Sequence, residues 1–325
     1  MMSEAAICSS DTPAMPAAGV HLPWARVPAA VQAWATGLGG GGAPTSVRDL
    51  PGGFSPGATS ILEWPGRTVF VKAVGQELNS ESPSMHRREA VVSAALPRSP
   101  RFPRLLEVFD DSEWVALAFD AVDGRPPHHP WDPVELGRVA DGLSAMHAEL
   151  TPSPAPDLDP LSVRAVQLFG GWSTLVTLGA PAELDPWAAA HLDRLAELEA
   201  GWPEACVGET LVHGDVRADN VLVTEDRVVF VDWPFGSVGN PAFDVIAWAP
   251  SVVLEGGPPP EELLALCEAS RRADADAMTV LLTAICGFFV SHSLQPAPPG
   301  LPTLRAFQAA QGAVALDWLR RRTGW

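Results

Sequence analysis

Two short apolar runs lie close together in the second half of the chain, Asn220-Val221-Leu222-Val223 and Val228-Val229-Phe230-Val231. The polar segment Thr224-Glu225-Asp226-Arg227 joins them. Each run is continuously hydrophobic rather than alternating, the pattern of a strand covered on both faces. The short connection makes them a hairpin. The flanking sequence reads as helix, so the hairpin is expected inside a helical body. A buried hairpin fixes the residues at its ends. Here these are Asn220 and Asp232, and the loop entering the first strand is His213-Gly214-Asp215-Val216-Arg217-Ala218-Asp219. Three oxygen-bearing side chains, Asp215, Asn220 and Asp232, are thereby brought to one place.

The rest of the chain divides around this feature. Residues 1–45 read as an N-terminal extension with a short helix from Trp24 to Leu38, ended by the flexible joint Gly39-Gly40-Gly41-Gly42. Residues 46–119 carry strand patterns at 60–64, 68–72, 105–109 and 114–119, and a helix from His86 to Leu96 that Pro97 stops. Gly52 to Gly57 is a turn cluster inside this meander. Residues 120–124 read as the link between lobes. Residues 125–325 are mainly helical, with apolar positions at helical spacing over 134–150 and 187–198, and a Pro-rich loop over 152–160. Val280 to Val290 is apolar but too short to span a bilayer, and reads as a buried helix. The fold class is α+β in two lobes: an antiparallel sheet plus helix, then a mainly helical lobe.

Composition narrows the partners. A length of 325 residues suits two lobes, and 47% hydrophobic residues supply their cores. A net charge of −18 repels nucleic acid and anionic membrane and attracts cations. Neither nucleic acid nor membrane is therefore expected as a partner, and a cationic small molecule is favoured. Cysteines stand at 8, 206, 267 and 286 with no Cys-x-x-Cys spacing, which argues against a zinc site and for reduced thiols in a cytoplasmic protein. No secretory signal is visible. There is no Tyr, and Lys72 is the only lysine beside twenty arginines.

Asn220 and Asp232 offer hard oxygens of the kind Mg²⁺ takes, with water and phosphate completing the shell. Asp215 is then left to accept a hydroxyl proton. Metal on the phosphates, a base on the nucleophile and positive charge on the transferring group are what phosphoryl transfer needs. His-Gly-Asp, four residues, Asn, then a hairpin ending in Asp resembles the catalytic core of the aminoglycoside phosphotransferase family, which has a protein-kinase-like fold. The order of elements agrees from about Val47 to the C-terminal helices.

That resemblance implies ATP and Mg²⁺ as cofactors and a small-molecule hydroxyl as acceptor. It implies that Lys72 pairs with the α- and β-phosphates and that Glu89, rather than the nearby Glu81, orients it. Gly52 to Ser60, with Gly53 and Ser55, would form the loop over the phosphates, and Asp120 to Val122 would supply backbone contacts to adenine. Arg217 stands where protein kinases carry a lysine on the γ-phosphate, and would stabilise the transferring group. Asp232-Trp233-Pro234 replaces Asp-Phe-Gly, Ala249-Pro250-Ser251 lacks the Glu of Ala-Pro-Glu, and no activation segment lies between. These departures favour a small-molecule kinase over a protein kinase.

Duller roles are expected for several residues. His213 reads as a buried structural histidine and Asp244 as an acceptor for backbone N–H groups of the catalytic loop. Trp172, Trp187, Trp248 and Trp318 read as core. Glu261-Glu262, Asp274 and Asp276 read as solvated helix faces. A nucleotide-binding pseudokinase acting as a regulatory partner, and a kinase of choline, homoserine or a ketosamine, are the alternatives to an aminoglycoside kinase. The acceptor, the biological role (antibiotic resistance, biosynthesis or catabolism) and the oligomeric state are not encoded legibly.

Overall fold

The computed structural model describes residues 21–50, 56–298 and 301–325. The first half forms a five-stranded antiparallel sheet of β1 (Ser46–Asp49), β2 (Ala58–Trp64), β3 (Arg67–Gly75), β4 (Leu105–Asp110) and β5 (Trp114–Asp120), in the order β1-β2-β3-β5-β4. Strand side chains alternate between the two faces. Val69, Val71, Ala73, Ala116 and Ala118 therefore share one face, and pack against Val31, Ala35 and Leu38 of helix α1 (Ala29–Leu38). Phe70, Val115, Leu117 and Phe119 share the other, with Ala90 of helix α2 (Ser82–Ala95). The same alternation turns Lys72 toward α2.

The segment read as an N-terminal extension is thus one layer of this lobe. The glycine run after α1 is not a free joint. A Cβ on Gly39 would lie 2.1 Å from Trp64 Nε1, and that nitrogen donates to Gly42 O at 2.8 Å. Glycines are used here for close approach to an indole ring. The N-terminal segment also ties to strand ends. Leu22 N–H donates to Gly57 O at 2.9 Å, and Asp49 Oδ1 accepts from Trp24 N–H at 3.0 Å and from Ser60 Oγ at 2.7 Å.

After β5 the chain crosses through 121–124, and Arg125 exchanges backbone bonds with Val223 in the second half. Helix α3 (Pro133–Glu149) opens that half, capped by Asp132, which accepts from Val134 and Glu135 N–H. Short helices follow: α4 (Leu161–Arg164), α5 (Gly171–Leu178), α6 (Pro186–Ala190), α7 (Leu192–Glu199) and α8 (Trp202–Ala205). The single helix expected over 187–198 is split at His191. Trp172, Trp248 and Trp318 are core, whereas Trp187 is half-buried and stacks on Trp325.

Two ribbons then nest. The expected hairpin is β7 (Val221–Val223) with β8 (Val228–Phe230), buried apart from a half-buried Leu222. Outside it, β6 (Thr210–Val212) pairs with β9 (Ser237–Gly239). Three-residue strands carry no readable period, so this outer ribbon had no signature.

The remaining helices are α9 (Ala242–Leu254), α10 (Pro260–Leu266), α11 (Glu268–Arg272), α12 (Ala275–Ser293) and α13 (Leu304–Thr323). By length and composition α12 could cross a membrane. Its segment Leu281–Gly287 is instead buried among α5, α7, α9 and α13. Two carboxylates expected on solvated faces are exposed and also make structural contacts. Asp274 caps α12 by accepting from Asp276 and Ala277 N–H. Glu261 Oε1 accepts from Trp318 Nε1 at 2.9 Å and from Arg322 Nη1 at 2.8 Å. A carboxylate that satisfies a buried indole N–H is favoured over water there.

Replacing Asp49 by alanine removes the acceptor shared by Trp24 N–H and Ser60 Oγ. Urea unfolding of Asp49→Ala should show a loss of about 1–3 kcal/mol.

Candidate active site

The nested ribbons set two loops face to face. The first, 213–220, joins β6 to β7; the second, 231–236, joins β8 to β9. Gly214 lies at their contact with φ +82°, and a Cβ there would stand 2.7 Å from Phe235 O. Only glycine meets both demands. Asp244, fully buried in the first turn of α9, clamps the first loop from below. Its Oδ2 accepts from His213 N–H at 2.9 Å and its Oδ1 from Gly214 N–H at 2.8 Å. His147 Nε2 on α3 completes the set at 2.9 Å from Oδ2. Burial opposes the charge of Asp244, but His147, His213 and the Gly214 N–H outweigh it and hold its pKa below the usual carboxylate range.

His213 is buried and committed at both ring nitrogens. Nε2–H donates to Val231 O at 2.9 Å, across to the second loop, and Nδ1 accepts from Asp215 N–H at 3.2 Å. That pairing defines the neutral tautomer, and burial lowers the pKa further from its ordinary value. His213 thus braces the two loops together.

Asp215 and Asn220 meet across the first loop. Asn220 Nδ2 donates to Asp215 O at 2.8 Å and to Asp215 Oδ2 at 3.0 Å, and neither Asn220 Oδ1 nor Asp215 Oδ1 takes part in these two bonds. Burial pushes the Asp215 carboxyl up to about 7; Arg217 and the Asn220 amide oppose this, while Asp219 and Asp232 add to it. Arg217 Nε donates to Asp219 Oδ1 at 3.0 Å, its Nη2 to Asp219 Oδ2, and Nε lies 4.0 Å from Asp215 Oδ1. The guanidinium stands 5.3 Å over the Phe307 ring of α13. Burial works against its charge, but Asp215 and Asp219 more than compensate.

Lys72 closes the site from the sheet. Its Nζ pairs with Glu89 Oε2 on α2, and with Asp232 Oδ1 at 2.6 Å. Burial would discharge the ammonium, yet Asp232 and Glu89 together hold its pKa above the usual lysine value. Burial likewise raises Asp232, and Lys72 overcomes it, so this carboxylate titrates below its normal range. Asp232 adopts φ +67°. A non-glycine residue in the left-handed region is held there by its surroundings. Those are the His213 bond to Val231 O and the buried Trp233, whose indole donates to Phe230 O at 3.1 Å and whose backbone N–H reaches Glu89.

Lys72, Glu89, Asp215, Arg217, Asn220 and Asp232 therefore converge from four segments of the chain. Glu81, the other acidic residue near Lys72 in sequence, precedes α2 and is exposed. Asp120 ends β5 and pairs with Arg104 at 3.2 Å; Val122 follows in the crossover, with no backbone hydrogen bond among the described residues. Gly53 and Ser55 lie outside the described residues.

Over residues 46–280 the chain matches the model of the phosphotransferase enzyme family. The chain belongs to the phosphotransferase enzyme family. It is an enzyme that transfers a phosphoryl group to an alcohol acceptor. No curated protein matches the sequence significantly. Among solved structures, a thermostable mutant of aminoglycoside phosphotransferase APH(4)-Ia, in ternary complex with ADP and hygromycin B, is 14% identical with a TM-score of 0.58, covering 90% of this chain and 98% of that one. Choline kinase from Cryptosporidium parvum Iowa II is 12% identical with a TM-score of 0.54, covering 86% and 89%. An aminoglycoside phosphotransferase from Alicyclobacillus acidocaldarius subsp. acidocaldarius DSM 446 is 15% identical with a TM-score of 0.51, covering 85% and 91%. At these identities the likeness is one of fold, and it is the two-lobed protein-kinase-like fold that the motif order implies.

Several residues of this phosphotransferase site had no signature. Asp219 is one of the four residues between the motif's Asp and Asn, yet it holds Arg217. Glu255, just past α9, accepts from Trp131 Nε1 at 3.0 Å and lies 3.9 Å from His129 Nδ1. Burial pushes Glu255 up to about 7, with Trp131 opposing and Asp219 adding to the rise.

Two expectations follow from these buried acids. Asp244→Ala leaves His147 and two loop N–H groups without their acceptor, and should cost about 3–5 kcal/mol in denaturant unfolding, with activity lost at once. For Glu255 the folded pKa lies above the unfolded one, so the folded state holds more protons between pH ~4.5 and ~7 and stability falls as pH rises through that window. Glu255→Gln should therefore be more stable than wild type at pH 8 by about 1–3 kcal/mol, an advantage that vanishes near pH 4, read from urea midpoints at both pH values.

Proposed function

We propose that this phosphotransferase moves the γ-phosphate of ATP to a hydroxyl of a small, amine-bearing molecule such as an aminoglycoside. The observation that carries this reading is the convergence of Lys72, Asp232, Asn220 and Asp215 in one cleft between the sheet and the helical half. The region 46–119 then serves as the nucleotide lobe and 120–124 as its hinge, with the Val122 backbone beside the adenine and the loop containing Gly53 and Ser55 over the phosphates.

Mg²⁺ suits the donors present: the Asn220 amide oxygen, not used in the bonds to Asp215, and the Asp232 carboxylate, kept ionised beside Lys72. Hard, uncrowded oxygens are what this ion takes. When bound there, Mg²⁺ neutralises phosphate charge. The chain's own residues do the remainder. Lys72 offers a compact ammonium to the phosphates, oriented by Glu89. The Asn220 amide fixes the rotation of the Asp215 carboxylate, so that Oδ1 remains to take the acceptor's hydroxyl hydrogen. Arg217, steadied by Asp219 at hydrogen-bonding distance and flanked by Phe307, places a permanent positive charge beside that carboxylate, where charge spreads over the transferring group. Asp219, exposed beside the guanidinium of Arg217, and the net charge of −18 favour an acceptor that carries amines. Such an enzyme would work in the cytoplasm, where ATP is available.

The test is ADP release measured over a panel of aminoglycosides, other aminated antibiotics, choline and amino alcohols. At least one acceptor should stimulate it, and Asp215→Ala should reduce the stimulated rate by about 10²–10⁴-fold. Stimulation that survives this substitution would exclude Asp215 as the base.

A further inference from the structure

Helix α2 belongs physically to both halves of the molecule. On the sheet side Glu89 pairs with Lys72, and Arg87 binds Asp110 through two hydrogen bonds of 2.7 and 2.8 Å. On the other side Val92, fully buried, is part of the core of the helical half. Between these contacts lies Arg88. Its Nη2 donates to Gly236 O at 2.9 Å, and its Nη1 to Asp159 Oδ2 at 3.3 Å. Gly236 closes the loop that begins at Asp232, and a Cβ on it would stand 2.6 Å from Val92 Cγ1. The loop therefore fits under α2 only because residue 236 has no side chain, and Arg88 fastens it there.

We propose that Arg88 is a positioning residue for the nucleotide: its guanidinium locks α2 to the loop after Asp232, so that Glu89, Lys72 and Asp232 keep one mutual geometry. In a chain without an activation segment, some other contact must hold the helix that carries Glu89. Arg88 holds Gly236 O at the end of the loop, and Glu89, the next residue on α2, accepts from Trp233 N–H near its start, so α2 meets the loop at both ends. A carbonyl accepting from a guanidinium is a charge-assisted bond, stronger than a neutral one. The device leaves the nucleotide site permanently assembled, with no separate activating step.

This inference rests on the nucleotide reading of Lys72. The experiment is a double-mutant cycle on the full chain, read as AMP-PNP affinity in the presence of Mg²⁺ by calorimetry. Arg88→Ala should weaken binding about tenfold in the wild-type background and less than about twofold in the Lys72→Ala background, because Arg88 acts through Lys72. A merely structural arginine would cost the same in both. Arg88→Lys, which keeps the charge but lacks the forked reach, is measured beside it in case the alanine variant folds poorly, and should lose about threefold. Equal losses in the two backgrounds, or no loss in either Arg88 variant, overturn the proposal. If Lys72→Ala itself leaves AMP-PNP affinity unchanged, the nucleotide reading of the site falls and takes the role of Arg88 with it.

Discussion

The nesting of one antiparallel ribbon inside another is the constraint on which the rest of the site depends. Because β7 pairs with β8 and β6 with β9, the loops that join them must start and end side by side. Their separation is fixed by inter-strand hydrogen bonding rather than by side-chain packing. The contacts between the loops follow from that proximity. His213 can reach Val231 O, Gly214 can touch Phe235, and a single buried carboxylate, Asp244, can hold the start of the first loop by its backbone. A buried loop would otherwise carry unsatisfied N–H groups, which is costly. Asp244 is thus an anchor whose own charge is tolerated because three donors converge on it.

The electrostatics build outward from this frame. Acidic groups outnumber cations in the site, and burial raises the carboxyls of Asp215 and Glu89. Charge is balanced locally rather than on average: Lys72 lies between Glu89 and Asp232, and Arg217 between Asp215 and Asp219. Lys72 joins helix α2 to the second loop, and Arg217 joins two positions of the first. Ionic pairing here sets relative position, a use in which buried charge can be retained although it adds little to stability.

Much of this was legible in the sequence because coupled features had to agree. A continuous apolar hairpin, an Asn and an Asp at its ends, and an Asp in the loop before it constrain one another. The structure and the family match bear out the fold and the phosphotransferase class. The pieces that were not legible share a physical cause. The strands β6 and β9 are too short to show a period. The docking of α1 on the sheet depends on which face of the sheet lacks a cover, a tertiary fact. Gly39 to Gly42 looks flexible in sequence because glycine permits flexibility, whereas here it permits an indole to approach. Asp274 and Glu261 are exposed, as their charge suggests, yet one also caps a helix and the other also meets a buried tryptophan N–H, contacts that charge alone does not announce. The left-handed backbone of Asp232 leaves no mark in composition at all.

The solitary lysine has a last consequence, for chemical labelling. Every other fixed positive side chain is an arginine, so apart from the chain terminus an amine-directed reagent has one target, Lys72. That amine is enclosed and held as ammonium by two carboxylates, a state with little nucleophilicity. Its rate of acylation is accordingly a one-residue gauge of whether Glu89 and Asp232 still embrace it, readable by intact mass without any introduced probe.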